Sequence, residues 1–158
     1  MAHAIRFHKA GGPEVLELEE VAVGKPGPGQ ARIRHVAVGL NFADTYFRSG
    51  FYKVPLPAGM GVEAAGVVEA IGEGVTNVAP GDKVTYTGFI NTLGAYSTER
   101  LIPAAPLIKL PEGISCETAA ASTRARWCAT GSRSAAAWTS PRSTAWPTSC
   151  APSLTARC

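Results

Sequence analysis

The chain has 158 residues, about one domain's worth, with 46% hydrophobic and 17% charged residues, a balance suited to a buried core. Its net charge of +3 is too small to argue for nucleic acid as a partner, and no apolar run is long enough to span a membrane. The opening MAHAIRFHK lacks the apolar core and cleavage site of a secretory signal, so a cytoplasmic location is expected.

The first 110 residues read as mostly β. Ala4–Phe7 is a short strand, Gly11-Gly12-Pro13 a turn, and Val15–Val23 the expected partner strand. Lys25-Pro26-Gly27-Pro28-Gly29 must be a loop, because two prolines and two glycines defeat both helix and ladder. Ala31–Val38 alternates apolar and polar residues with period two, which predicts one buried face. The alternation stops over Asn41–Ser49. There Phe42, Thr45 and Tyr46 stand at i, i+3 and i+4, the spacing of a helical turn with an aromatic side.

Val62–Ile71 is a second long strand, and turns are expected at Gly72-Glu73-Gly74 and Pro80-Gly81-Asp82. Lys83–Thr87, Ala95–Ile102 and Leu107–Leu110 complete the strands. Many short strands separated by turn signals predict a small barrel. Pro111-Glu112-Gly113 ends it, and Ser115 is placed to cap a helix starting at Cys116. Gly72-Glu73-Gly74 is no nucleotide loop. The dinucleotide fingerprint needs G-x-G-x-x-G between strand and helix, and here Val75-Thr76-Asn77-Val78 and Pro80 follow.

Composition changes abruptly after residue 121. Residues 122–158 use nine residue types and lack Val, Ile, Phe, Tyr, Asp, Glu and Lys. They hold five Arg and no acid, so this segment carries +5 and residues 1–121 carry −2. With one large aliphatic, Leu154, they lack the surface needed to offset ordering entropy. A low-complexity, disordered or frameshifted tail is expected. The hypothesis of a frame change rests on the Arg/Ala/Ser/Pro/Trp/Cys excess of a GC-rich gene read out of frame; a shifted frame after codon 121 that encodes no glycine-rich βαβ segment would sink it. A natural disordered tail is the alternative. Five dispersed arginines make no basic cluster for nucleic acid. The cysteines Cys116, Cys128, Cys150 and Cys158 form no CxxC pair, hence no metal knuckle or disulfide framework is expected.

Two segments carry chemistry. Residues 36–60 have AVGLNFADTYFRSGFYKVPLPAGM as their core, dense in aromatics and amides, and residues 61–84 read GVEAAGVVEAIGEGVTNVAPGDKV. Together they resemble the medium-chain dehydrogenase/reductase superfamily, and within it the zinc-free NADPH:quinone oxidoreductases related to zeta-crystallin. The resemblance implies a chaperonin-10-like (GroES-like) catalytic barrel with short helices over residues 1–121. It also implies a second, Rossmann-type cofactor domain, roughly half of the family's length, that these 158 residues do not contain.

The zinc-dependent relatives have Cys where this chain has Asn41, and His-Glu where it has Val62-Glu63. Asparagine and valine cannot replace thiolate and imidazole, so the resemblance implies no zinc. The cysteine-rich lobe of a structural zinc is also missing between Val84 and Ala95. Without a Lewis acid, alcohol oxidation loses its help in removing the hydroxyl proton. A quinone is already electrophilic and needs positioning plus a hydrogen bond to the developing oxyanion. Asn41 and Tyr46 carry donors that could provide it.

The resemblance further implies that Asn41, Phe42, Ala43, Asp44, Thr45 and Tyr46 line the nicotinamide end of NADPH. Tyr46, Arg48 and Tyr52 would face the quinone, with Asn41, Tyr46 and Tyr52 as the catalytic candidates. Ala43 and Phe47 stand where bulky aliphatics are more usual. The duller readings are that the aromatics are core and that Asn41 bonds backbone at a strand end. Glu63 reads as a structural carboxylate, and His3, His8 and His35 as surface or core residues. The expected activity is hydride transfer from NADPH to a quinone by the full-length form, with negligible turnover by these residues alone. The alternatives are zinc-free reduction of enones or aldehydes, or a non-catalytic barrel that acts as a binding module. An oligomer is compatible with the sequence, although the family's usual dimer surface lies in the second domain.

Overall fold

The computed structural model describes residues 1–88 and 93–121. The expected tail, 122–158, lies outside the described residues. Two antiparallel sheets build the protein. The first has the order β2-β1-β4, from β1 (Ala2–Phe7), β2 (Glu17–Val21) and β4 (Ala58–Gly59). The second has the order β7-β3-β5-β6-β8, from β3 (Gln30–Gly39), β5 (Glu63–Ile71), β6 (Lys83–Thr87), β7 (Glu99–Pro103) and β8 (Ile108–Lys109). One six-residue helix, α1 (Ala43–Arg48), follows β3. A 3-10 turn at Pro13–Val15 replaces the expected start of β2, because Pro13 pre-sets a helical φ and Leu16 N–H bonds its carbonyl at 3.2 Å.

The mainly β architecture of a GroES-like barrel is therefore as expected. β6 spans the residues predicted for it, and Gly74 (φ 79°) and Gly81 (φ 91°) supply the left-handed positions of the two predicted turns. β7 begins later than expected. Residues 95–98 instead form the seam between the two sheets: Ala4 bridges Ser97, Ile5 N–H bonds Tyr96 O at 2.8 Å, and Tyr96 N–H bonds Met60 O at 2.8 Å. β4 was not foreseen, since a Pro/Gly-rich stretch carries no strand signal; it exists because it pairs Gly59 with Arg6 and Ala58 with Phe7.

The main core is formed within the five-stranded sheet and its loops, from Ile33, Val68, Val84, Tyr86 and Ile102 with their alanine neighbours, Val78 and Leu107. A second cluster joins Phe7, Val15, Ala58 and Met60. A third packs Ala65 and Leu110 against Cys116, Ala119 and Ala120 of the helical turn at 116–121. β5 is thus covered on both faces, Ala64 on one and Ala65 on the other, which is why its stretch from Ala64 to Val68 is small and apolar without a break. Ser115 caps this turn as predicted, its Oγ accepting Thr118 N–H at 3.2 Å. Ser115→Ala is expected to lower stability by about 1 kcal/mol, seen as a Tm fall of a few degrees with faster exchange of the Thr118 amide. No helix among the described residues is long and apolar enough to cross a membrane.

Candidate functional site

The segment from the end of β3 through residue 52 leaves the sheet and forms a wall of aromatic rings. The period-two pattern ends at Gly39, and the i, i+4 spacing then divides α1 into two sides. Phe47 is buried and anchors the helix, while Phe42 and Tyr46 lie on its outer side at 75% and 38% exposure. Phe51 (74%) and Tyr52 (37%) extend the wall. Tyr46 is its hub, with ring centroids 5.3 Å from Phe42, 5.3 Å from Phe51 and 5.7 Å from Tyr52. The Phe42 and Tyr52 contacts are edge-on, a geometry favoured by the ring quadrupoles. Tyr52 N–H closes the loop by bonding Tyr46 O at 3.1 Å. Four rings this exposed on one short segment are not explained by folding alone.

Beneath the wall lies a buried polar network. Asp44 is 3% exposed, and its Oδ2 accepts both Asn41 N–H at 2.9 Å and the Tyr96 hydroxyl at 2.7 Å. Burial, then the hydrogen bond to Asp44 and its charge, push the Tyr96 hydroxyl far above the usual phenol range, so it remains a donor. The Asn41 side-chain amide donates to Gly39 O at 3.3 Å and to Glu63 Oε2 at 3.1 Å. These two acceptors account for both amide hydrogens. Glu63 is 4% exposed, at the start of β5, beside buried Val62.

The predicted residues are therefore gathered in one place but not in one role. Asn41 and Asp44 belong to the buried network, and Phe42, Tyr46 and Tyr52 to the exposed wall. Ala43 and Thr45 are half-buried on α1, with Thr45 Oγ1 donating to Phe42 O at 2.7 Å. Arg48 is half-buried at the helix end, where its carbonyl accepts Gly11 N–H at 3.0 Å. Sequence reasoning placed Asn41 as a donor to a reacting oxygen; its hydrogens are instead taken by Gly39 and Glu63. Tyr96 was missed. It lies 52 residues from Asp44 and no local pattern marks it.

The histidines lie elsewhere. His3 and His8 pair with Glu20 at 3.7 Å and Glu19 at 2.6 Å on the surface. His8, Glu17 and Glu19 are the one group among the described residues with clustered metal-ligating atoms, His8 just past the end of β1 and the two glutamates on β2, and none of them belongs to the aromatic wall.

A two-sheet antiparallel architecture with a helical turn after its third strand is that of a GroES-like domain. Residues 27–112 match the model of the family described as the alcohol dehydrogenase GroES-like domain, and the chain belongs to this family. It is 49% identical over 122 residues to a quinone oxidoreductase of Pseudomonas aeruginosa, a match covering 77% of this chain and 37% of the relative. It is also 49% identical over 119 residues to a 2-haloacrylate reductase of Burkholderia sp, covering 72% of this chain and 35% of that one. The solved structure of Escherichia coli quinone oxidoreductase complexed with NADPH aligns with a TM-score of 0.75 at 42% identity, over 81% of this chain and 40% of that one. The chain thus spans less than half the length of the relatives it matches.

Proposed function

We propose that the aromatic wall is the face against which NADPH and a quinone are brought together, within an oxidoreductase whose barrel is residues 1–121. The observation that carries this reading is the exposure of Phe42, Tyr46, Phe51 and Tyr52 as one contiguous group above a buried network. Planar, electron-poor rings stack on such surfaces. The similarity to quinone oxidoreductases, one of them solved with NADPH, supports the choice of both ligands.

When bound, NADPH supplies a hydride. The chain's own residues do the rest. Phe42 and Tyr46 orient the nicotinamide ring and exclude water from one side of it. Ala43 leaves room beside them, and Asp44 and Thr45 hold the helical turn that presents them. The hydroxyls of Tyr46 and Tyr52 are the donors for the oxygen that gains charge, with Arg48 behind them. Asn41 positions: it ties the strand end to Glu63 and keeps the wall at a fixed height over β5.

The reaction proposed is zinc-free. A catalytic zinc needs thiolate, imidazole or uncommitted carboxylate ligands. Where the zinc-dependent relatives carry thiolate and imidazole, this chain has Asn41 and Val62, and the adjoining Glu63 accepts the Asn41 amide, so neither of the two strong zinc donors is offered. A second reading, reduction of an electron-poor C=C bond, is favoured by the similarity to 2-haloacrylate reductase. Both reactions place a polarised acceptor on the same wall.

The 158 residues hold no glycine fingerprint for a pyrophosphate, so the wall grips only the nicotinamide end. Calorimetric titration of the EDTA-dialysed chain with NADPH is expected to give a dissociation constant weaker than about 1 mM, with negligible turnover of quinone or enone. Micromolar affinity, or turnover restored by zinc, would contradict the proposal.

A further inference from the structure

The structure points to Tyr96 as a positioning residue for the aromatic wall, acting through Asp44 on Asn41. We infer this from four observations, and it rests on the reading of the wall as the ring-binding face.

First, Tyr96 is fixed at both ends. Its backbone is part of the seam between the sheets, bonded to Ile5 and to Met60 at 2.8 Å each. Its hydroxyl reaches Asp44 Oδ2 at 2.7 Å, in the first turn of α1, which carries the wall. The ring is therefore a strut from the barrel frame to α1.

Second, the chain makes room for it. Gly61 adopts φ +84°, and a Cβ at that position would lie 2.4 Å from Tyr96 Cδ1 and 2.6 Å from Cε1. A glycine is required there because the ring crosses directly over the backbone next to Val62 and Glu63.

Third, Asp44 depends on this bond. Among the described residues its Oδ1 is buried with no hydrogen-bond partner, so the buried carboxyl is held through Oδ2 alone, by Tyr96 and by Asn41 N–H. Removing the phenol leaves one donor for a group that burial makes expensive to leave unpaired. Fourth, Asn41 passes the restraint on, since its side chain bonds Glu63 while its backbone bonds Asp44. Barrel frame, strut, helix and β5 form one closed circuit around the root of the wall.

The test uses the full 158-residue chain. Tyr96→Phe keeps the ring over Gly61 and removes only the hydroxyl; Asp44→Ala removes the acceptor and serves as the second variant. Amide hydrogen exchange is measured in the free proteins, and affinity for reduced nicotinamide mononucleotide by NMR titration. In Tyr96→Phe the Asn41 amide is expected to exchange about tenfold faster while Val68 in β5 is unchanged, and affinity for the mononucleotide to fall by a similar factor. Asp44→Ala should reproduce both. An unchanged Asn41 amide overturns the inference whatever the ligand does. A faster Asn41 amide with unchanged affinity also overturns it, because Tyr96 is then merely structural. If the unsubstituted chain does not bind the mononucleotide at all, the reading of the wall fails, and the exchange data alone decide whether the strut restrains Asn41.

Discussion

Gly66→Ala is expected to cost on the order of 3 kcal/mol or more and to leave much of the protein unfolded. Gly66 pairs with His35 on β3, where the register slips between His35 and Ala37. The bulge brings the two backbones together. A Cβ on residue 66 would lie 2.2 Å from Arg34 O and 2.9 Å from His35 Cα. Both are main-chain atoms, so no rotamer change relieves the overlap, and β3 and β5 would have to part at the centre of the larger sheet. Gly74→Ala is the matched control. Gly74 has φ +79° with nothing near its missing Cβ, so the cost there is the left-handed backbone alone, about 1–2 kcal/mol. Urea midpoints compare the two. A Gly66→Ala protein as stable as Gly74→Ala would show that the bulge yields, and the fixed spacing between β3 and β5 would then be wrong.

Stability is expected to fall as pH drops from 6.5 towards 4, and His35 is the cause. Its Nδ1–H donates to Ser97 O at 2.7 Å and its Nε2 accepts from the Tyr86 hydroxyl at 3.0 Å. Burial is the main reason its pKa drops from the ordinary 6.5 to about 4; the Arg100 charge adds to the fall and the Ser97 carbonyl opposes it. A His with a lowered folded pKa is protonated first in the unfolded chain. Its contribution is therefore fully present above pH 6.5 and is lost as pH falls to about 4, up to about 3 kcal/mol in all. Carboxylates titrate in part of the same window, so the informative quantity is a difference. His35→Gln should be less stable at neutral pH but lack this slope between pH 6.5 and 4. Parallel curves for the two proteins would remove His35 as the source.

Both effects arise where sequence patterns stop being informative. Alternation located β3, and turn residues bounded β5 and β6, because one-sided burial and positive φ leave local marks. The bulge at His35 and the need for glycine at 66 leave none, since they depend on the partner strand. β7 was drawn too long for a related reason: Ala95–Thr98 are β-like in composition, but their hydrogen bonds are spent on joining the two sheets.

The site divides in the same way. Phe42, Tyr46 and Tyr52 were legible as a group because they are close in sequence and helical spacing sets Phe42 beside Tyr46; Phe51 carries no such mark and joins them through its contact with Tyr46. The roles of the polar groups were not legible. Asn41 offered a donor on paper, and only its partners, Gly39 and Glu63, show where those hydrogens go. Tyr96 joins the site from 52 residues away, through a contact that no periodicity encodes.

The central claim is that the exposed rings after β3 receive a nicotinamide. The most direct measurement is an NMR titration of the chain with reduced nicotinamide mononucleotide, following the ring protons of all four tyrosines. Concentration-dependent shifts at Tyr46 and Tyr52, in the millimolar range, with Tyr86 unmoved in the core, are the expected result. Shifts that spare Tyr46 and Tyr52, or that move Tyr86 as much as them, would contradict it.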